Sequence, residues 1–131
     1  MNPYWDSSVI IETTLNPALL GPLQSLRPWC RPHALAESFS TLTGGRLGFR
    51  VDPDQASAIL AKLSAHLRFV ELTSDETLAA LATAKSLGIR GGRIHDFLHV
   101  VAARKAGCTV LVTLNLADFA GIDPQLIIES P

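Results

Sequence analysis

Four of the twelve acidic residues in this 131-residue chain have no ordinary structural job. Asp52, Asp54, Asp75 and Glu76 fall in caps or first turns of expected helices, where the helix dipole favours negative charge. Glu12, Glu71, Asp123 and Glu129 fall where solvated surface acids belong. Asp6, Glu37, Asp96 and Asp118 remain. Carboxylates gathered in a small pocket cannot all stay ionised without a cation among them. Hard oxygen donors with no His or Cys at metal-site spacing suit magnesium or manganese, which keep waters and bind substrate phosphates. Each residue also has a plainer reading. Asp6 could cap the helix behind it, and Glu37 could face solvent, since Ser38 and Ser40 beside it are polar too. Asp96 could complement a helix dipole, and Asp118 could cap a turn with Asn115. Only in combination do the four point to a site.

Short strands alternating with helices would bring them to one edge. Tyr4-Trp5-Asp6 ends a short first strand, and Ser7 to Thr14 form a helical turn or two behind it. A proline-punctuated stretch from Asn16 to Pro32 holds a short helix near Leu19 to Leu26 and a strand near Trp29-Cys30-Arg31. His33 to Leu42 is helical and stops at Gly44-Gly45. After the loop Arg46 to Val51, Asp52-Pro53-Asp54-Gln55 opens a helix carrying Ile59, Leu60, Leu63 and Leu67. Phe69 to Leu72 is a strand, and Thr73 with Glu76 forms a capping box for a helix that ends at Gly88. Gly91-Gly92 turns the chain into a helix from Ile94 to Ala106. Thr109 to Thr113 is an apolar strand and Leu126 to Ile128 a last one. This order predicts an α/β fold of three layers over residues 1–131, a mainly parallel sheet with helices on both faces. In such sheets sites form outside the carboxyl ends of strands.

Composition narrows the class. Hydrophobic residues at 47% and charged residues at 18% exclude disorder and fit a single compact domain. No apolar run reaches the ~18 residues of a membrane span, and the opening residues lack a signal-peptide pattern, so a cytoplasmic location is expected. Cys30 and Cys108 read as buried thiols. The net charge of −1 disfavours a nucleic-acid partner at first sight. With four acids set against a cation, the other eight face eleven basic residues, a weakly basic remainder compatible with phosphate contacts.

Four segments in order resemble the PIN domains, and within them the VapC-like toxins of toxin–antitoxin pairs. They are Asp6-Ser7-Ser8-Val9-Ile10, His33 to Phe39 around Glu37, Ile94 to Ala103 around Asp96, and Leu111 to Phe119 with Thr113, Asn115 and Asp118. The resemblance covers almost the whole chain. It implies a PIN-like fold and a magnesium- or manganese-dependent endoribonuclease, with Asp6, Glu37 and Asp96 as core acids and Asp118 as a further one. Thr113 and Asn115 match the family's polar pair, although many relatives carry an acid where Asn115 stands.

On that basis the reaction expected is in-line hydrolysis of an RNA phosphodiester. Asp6 and Asp96 are the expected direct metal ligands. Glu37 and Asp118 could take a second metal, reach the first through water, or orient the nucleophile. Ser7 or Thr113, and Asn115, would hold the ligands by hydrogen bonds. Arg90 and Arg93, around Gly91-Gly92, could touch phosphates, as could Arg46 and Arg50. His33, His95 and His99 are expected in packing or surface roles, without a zinc site. The resemblance also implies a cognate antitoxin, which could insert Arg or Lys into the acid pocket. Apolar faces in Pro17–Leu26 and Asp52–Leu67 could supply its groove and a homodimer surface. Two other functions stay open: a catalytically inactive RNA-binding or assembly module, or a phosphoesterase acting on DNA or phosphate esters. For a dehalogenase-like phosphatase the second Asp is missing, since position 8 is serine.

Overall fold

Side chains alternate across a strand, so a strand covered on both faces feeds two separate cores. The computed structural model describes residues 2–131, leaving Met1 outside, and shows this division throughout. Five strands, β1 (Pro3–Trp5), β2 (Trp29–Cys30), β3 (Arg68–Phe69), β4 (Val110–Val112) and β5 (Ile127–Glu129), form one sheet in the order β3-β2-β1-β4-β5. Every pairing is parallel. Tyr4 and Leu111 point into one core, with Ala80, Phe97, Val100, Ala103 and Phe119. Trp5, Val110 and Val112 point into the other, with Val9, Ile10, Leu23, Leu42, Leu60 and Leu63. Helices α1 (Ser7–Leu15), α2 (Leu20–Leu26), α3 (Pro32–Gly44) and α4 (Pro53–Ser64) supply the second core, while α5 (Ser74–Thr83), α6 (Arg93–Lys105) and α7 (Leu116–Phe119) supply the first. The three-layer α/β expectation holds. No helix among the described residues is long and apolar enough to cross a membrane.

Local chemistry sets most helix ends. Asp52 accepts from the amides of Asp54 and Gln55 ahead of α4, whose first residue is Pro53. Thr73 and Glu76 make a reciprocal capping box on α5. Gly45, at φ 87°, lets α3 end in a left-handed residue. Several strand limits differ from the sequence reading. The third strand is Arg68–Phe69 rather than Phe69–Leu72, because β2 is only two residues long before Pro32 starts α3, leaving Glu71 and Leu72 without a partner strand. The last strand runs one residue later, to Glu129, whose carbonyl accepts from Thr113 N at 2.9 Å. The helix expected to reach Gly88 is α5 plus a 3-10 turn at Lys85–Leu87, and where a turn around Asn115 and Asp118 is one of the readings, the chain forms the single-turn helix α7.

Candidate functional site

β1 and β4 are neighbours whose outgoing connections run to opposite sides of the sheet, through α1 and α2 toward β2 and through α7 toward β5. Their carboxyl ends mark the topological switch point, where open α/β sheets form sites. Asp6 follows β1, and its amide donates to the Val112 carbonyl of β4 at 3.2 Å. Its side chain is buried, 4% exposed, and satisfied from three directions. Ser8 Oγ and Val9 N donate to Oδ1, the latter at 3.3 Å, and Thr113 Oγ1 donates to Oδ2 at 2.7 Å. Thus Asp6 is also the N-cap of α1, the plainer of its two readings, without being exposed. Thr113 accepts from Asn115 N, and Ser8 accepts from Leu114 N, both at 3.0 Å, so the β4–α7 loop is stitched to the start of α1. Burial raises the Asp6 carboxyl above its ordinary value, and the Ser8 and Thr113 hydroxyls oppose that rise.

Glu37 projects from α3 with its side chain partly buried and meets His99 of α6, whose Nε2 lies 3.1 Å from Oε1. His99 Nδ1 lies 2.6 Å from the Tyr4 hydroxyl. His99 is 2% exposed, so its expected packing role is only half its part: it is a buried polar link between β1 and Glu37. Burial would raise the Glu37 carboxyl, but the hydrogen bond and charge of His99, helped by His33 and His95, bring it below its ordinary value. Asp96 lies in the first turn of α6. Burial raises its carboxyl first, then the charge of Asp118, with smaller contributions from Asp6 and Glu37 against an opposing one from His99. All four acids therefore share one electrostatic field. Asp118 sits in the first turn of α7, and neither it nor Asn115 makes a side-chain cap bond there.

The other expected residues divide. Ser7, Glu37, Arg46 and Asn115, with Ser8, line a pocket of about 400 Å³. Asp6, Asp96 and Asp118 are not part of that lining. Arg93 reaches α7, its Nη2 donating to the Asp118 carbonyl at 3.4 Å. Arg50 folds back over Gly45. Arg90 lines a different depression with Leu81, Lys85 and Ile89, whose lining holds no acid. Ser7 makes no hydrogen bond to Asp6; the serine that does is Ser8. Missed altogether were Ser8, Tyr4 and His99 as polar partners, and Arg31, whose Nε is buried without a partner and whose charge acts on Tyr4. Only Tyr4, a phenol in the middle of the short apolar strand ahead of Asp6, carried any signal, since a buried tyrosine hydroxyl usually finds a partner. His33 and His95 are exposed and stacked, with ring centroids 6.2 Å apart.

Among the described residues no three His, Cys, Asp or Glu side chains form a ready-made cage for a metal ion. The donor chemistry nevertheless suits magnesium or manganese, which bind through one or two carboxylates, keep several waters and complete their shell with substrate oxygens. Comparison with protein-family models and with curated proteins gives no match. Among solved structures the chain is similar to the crystal structure of PAE2754 from Pyrobaculum aerophilum, with a TM-score of 0.70, 19% identity, and coverage of 98% of this chain and 89% of that one. At that identity the likeness concerns the fold alone.

Proposed function

We propose that this chain is a magnesium- or manganese-dependent endoribonuclease of the PIN-like, VapC-like kind, acting in the cytoplasm as the toxin of a toxin–antitoxin pair. The observation that carries this reading is the buried Asp6, clamped at the switch point by Ser8, Val9 and Thr113, with Glu37, Asp96 and Asp118 near enough for their charges to act on one another. Asp6, clamped by Ser8, Val9 and Thr113, and Asp96, at the start of α6, would hold the ion. A divalent ion there supplies water activation and neutralises the phosphate. Glu37 orients the attacking water, while Arg93 and Arg46 meet phosphates on either side of the cut. Asp118 adds negative charge near Asp96 and stands outside the clamp. An antitoxin would restrain the site by placing Arg or Lys against these carboxylates, with the toxin as a homodimer.

Structured RNA incubated with and without manganese tests the reading. Wild-type cleavage that falls more than about 100-fold in Asp6→Asn and in Asp96→Asn, beyond the 10–100-fold typical of outer-shell groups, supports it. Full cleavage by either folded variant removes it. The lack of a three-donor cage among the described residues favours one competing reading, an inactive RNA-binding module, which would bind the same RNAs and cut none.

A further inference from the structure

We propose that His99 is the positioning residue of this site: fixed by Tyr4, it commits Oε1 of Glu37 and leaves Oε2 as the oxygen that works on the attacking water. Tyr4 comes from β1, Glu37 from α3 and His99 from α6, so the chain of contacts crosses the molecule from core to pocket. A carboxylate only accepts hydrogen bonds, so the imidazole nitrogen facing Glu37, Nε2, must carry the proton. In a neutral ring that leaves Nδ1 bare, and the Tyr4 hydroxyl 2.6 Å away is the donor that fits it. Among the described residues the Tyr4 hydroxyl has no other partner. Its ring meets the imidazole edge-on, at 5.7 Å and 65°, which fixes the imidazole plane as well as its tautomer. With Tyr4 0% and His99 2% exposed, water cannot substitute for either bond, and each group would be left unsatisfied if the other were lost.

This arrangement separates Glu37 from the other acids. Asp6 is held by hydroxyls and an amide, and Asp96 makes no side-chain hydrogen bond among the described residues. Among the four acids Glu37 alone meets an imidazole, which occupies Oε1 and leaves Oε2 free on the pocket side, so we assign its work to the water rather than to the ion. The catalytic half of this inference rests on the nuclease reading, and the tautomer lock rests on geometry alone.

The two halves are tested by different measurements. Ring ¹⁵N spectra at mildly alkaline pH should show His99 with a protonated Nε2 and an accepting Nδ1, and Tyr4→Phe should move the Nδ1 resonance toward that of a bare nitrogen while Nε2 stays protonated against Glu37. A wild-type ring protonated at Nδ1 overturns the lock whatever the activity. In single-turnover cleavage at saturating manganese, Tyr4→Phe and His99→Leu should slow the reaction about 10–100-fold, the range for groups that orient others. Manganese affinity by calorimetry should stay within about 2-fold over the same variants, and His99→Gln, which keeps one donor for Glu37, should recover part of the rate. In a Glu37→Gln background His99→Leu should cost nothing further. Additive losses, or manganese affinity falling in step with rate, overturn the positioning role. Because Tyr4→Phe is nearly isosteric, it carries the test if His99→Leu unfolds the core. A wild-type protein that cuts no RNA but shows the tautomer signature overturns the nuclease reading and keeps the lock.

Discussion

Glu37 and Asp96 are both partly buried acids, yet their surroundings push them in opposite directions, and the pH dependence of stability should separate them. The folded Asp96 carboxyl titrates above its ordinary 3.8, so the ionised form is penalised in the fold. Well below 3.8 both folded and unfolded chains hold the proton and there is no penalty; it grows as pH rises past 3.8 and is complete above the folded value. Asp96→Asn should therefore raise Tm at neutral pH, with the gain disappearing in acid. Glu37 titrates below its ordinary 4.5, so its stabilisation is present above that value and lost as pH falls through the folded one. Glu37→Gln should lower Tm at neutral pH and match the wild type in acid. Thermal unfolding of both variants across that range checks the signs, and two shifts of the same sign would refute the opposed environments. At this scale the sequence disclosed acids better than their partners. Glu37 stood out because no cap or surface role accounted for it, whereas His99 joins residues 95 and 62 positions away, which no spacing rule connects.

Helix caps were legible because they are made by residues within three positions of one another. The Thr73 and Glu76 box is an example, and its loss should be measurable. Thr73→Ala removes the acceptor for the Glu76 amide and should lower unfolding free energy by about 1 kcal/mol in urea titration. An unchanged midpoint would mean that the ion pair of Glu76 with Lys105, at 2.6 Å, holds the start of α5 unaided. Strand limits were less legible, since a strand is only as long as its neighbour allows. Phe69 to Leu72 has the right side chains for a strand, but pairing stops where Arg31 and Pro32 turn β2 into α3. Ser8 illustrates the same limit at a helix start. Two adjacent serines follow Asp6, and only the helical backbone decides which hydroxyl turns back to the carboxylate.

For the whole molecule, fold class could be read from alternation, while strand order could not. Nothing local tells that β4, rather than β2 alone, lies beside β1; only the pattern of apolar strands covered on both faces requires a central position for each. Leu111 is fully buried at that centre, in the core shared by α6 and α7. Leu111→Ala should cost about 2–5 kcal/mol by leaving a cavity between sheet and helices. Because Leu111 lies two residues from Thr113, manganese affinity should weaken in the same variant as the β4 end loosens. An unfolding free energy lowered by less than ~1 kcal/mol would show that the layers can collapse around the gap.

The hydrogen bond between Thr113 and Asp6 spans 107 positions of chain, which gives the site a birth date during synthesis. Asp6, Glu37 and Asp96 all leave the ribosome before the strand that clamps the first of them. At roughly 5–20 residues per second, the interval between making Asp6 and making Thr113 is on the order of 5–20 s. Throughout it β1 has β2 for a neighbour but an open edge where β4 belongs. A growing chain therefore carries the acids without the finished pocket until the β4 segment and Thr113 have been made.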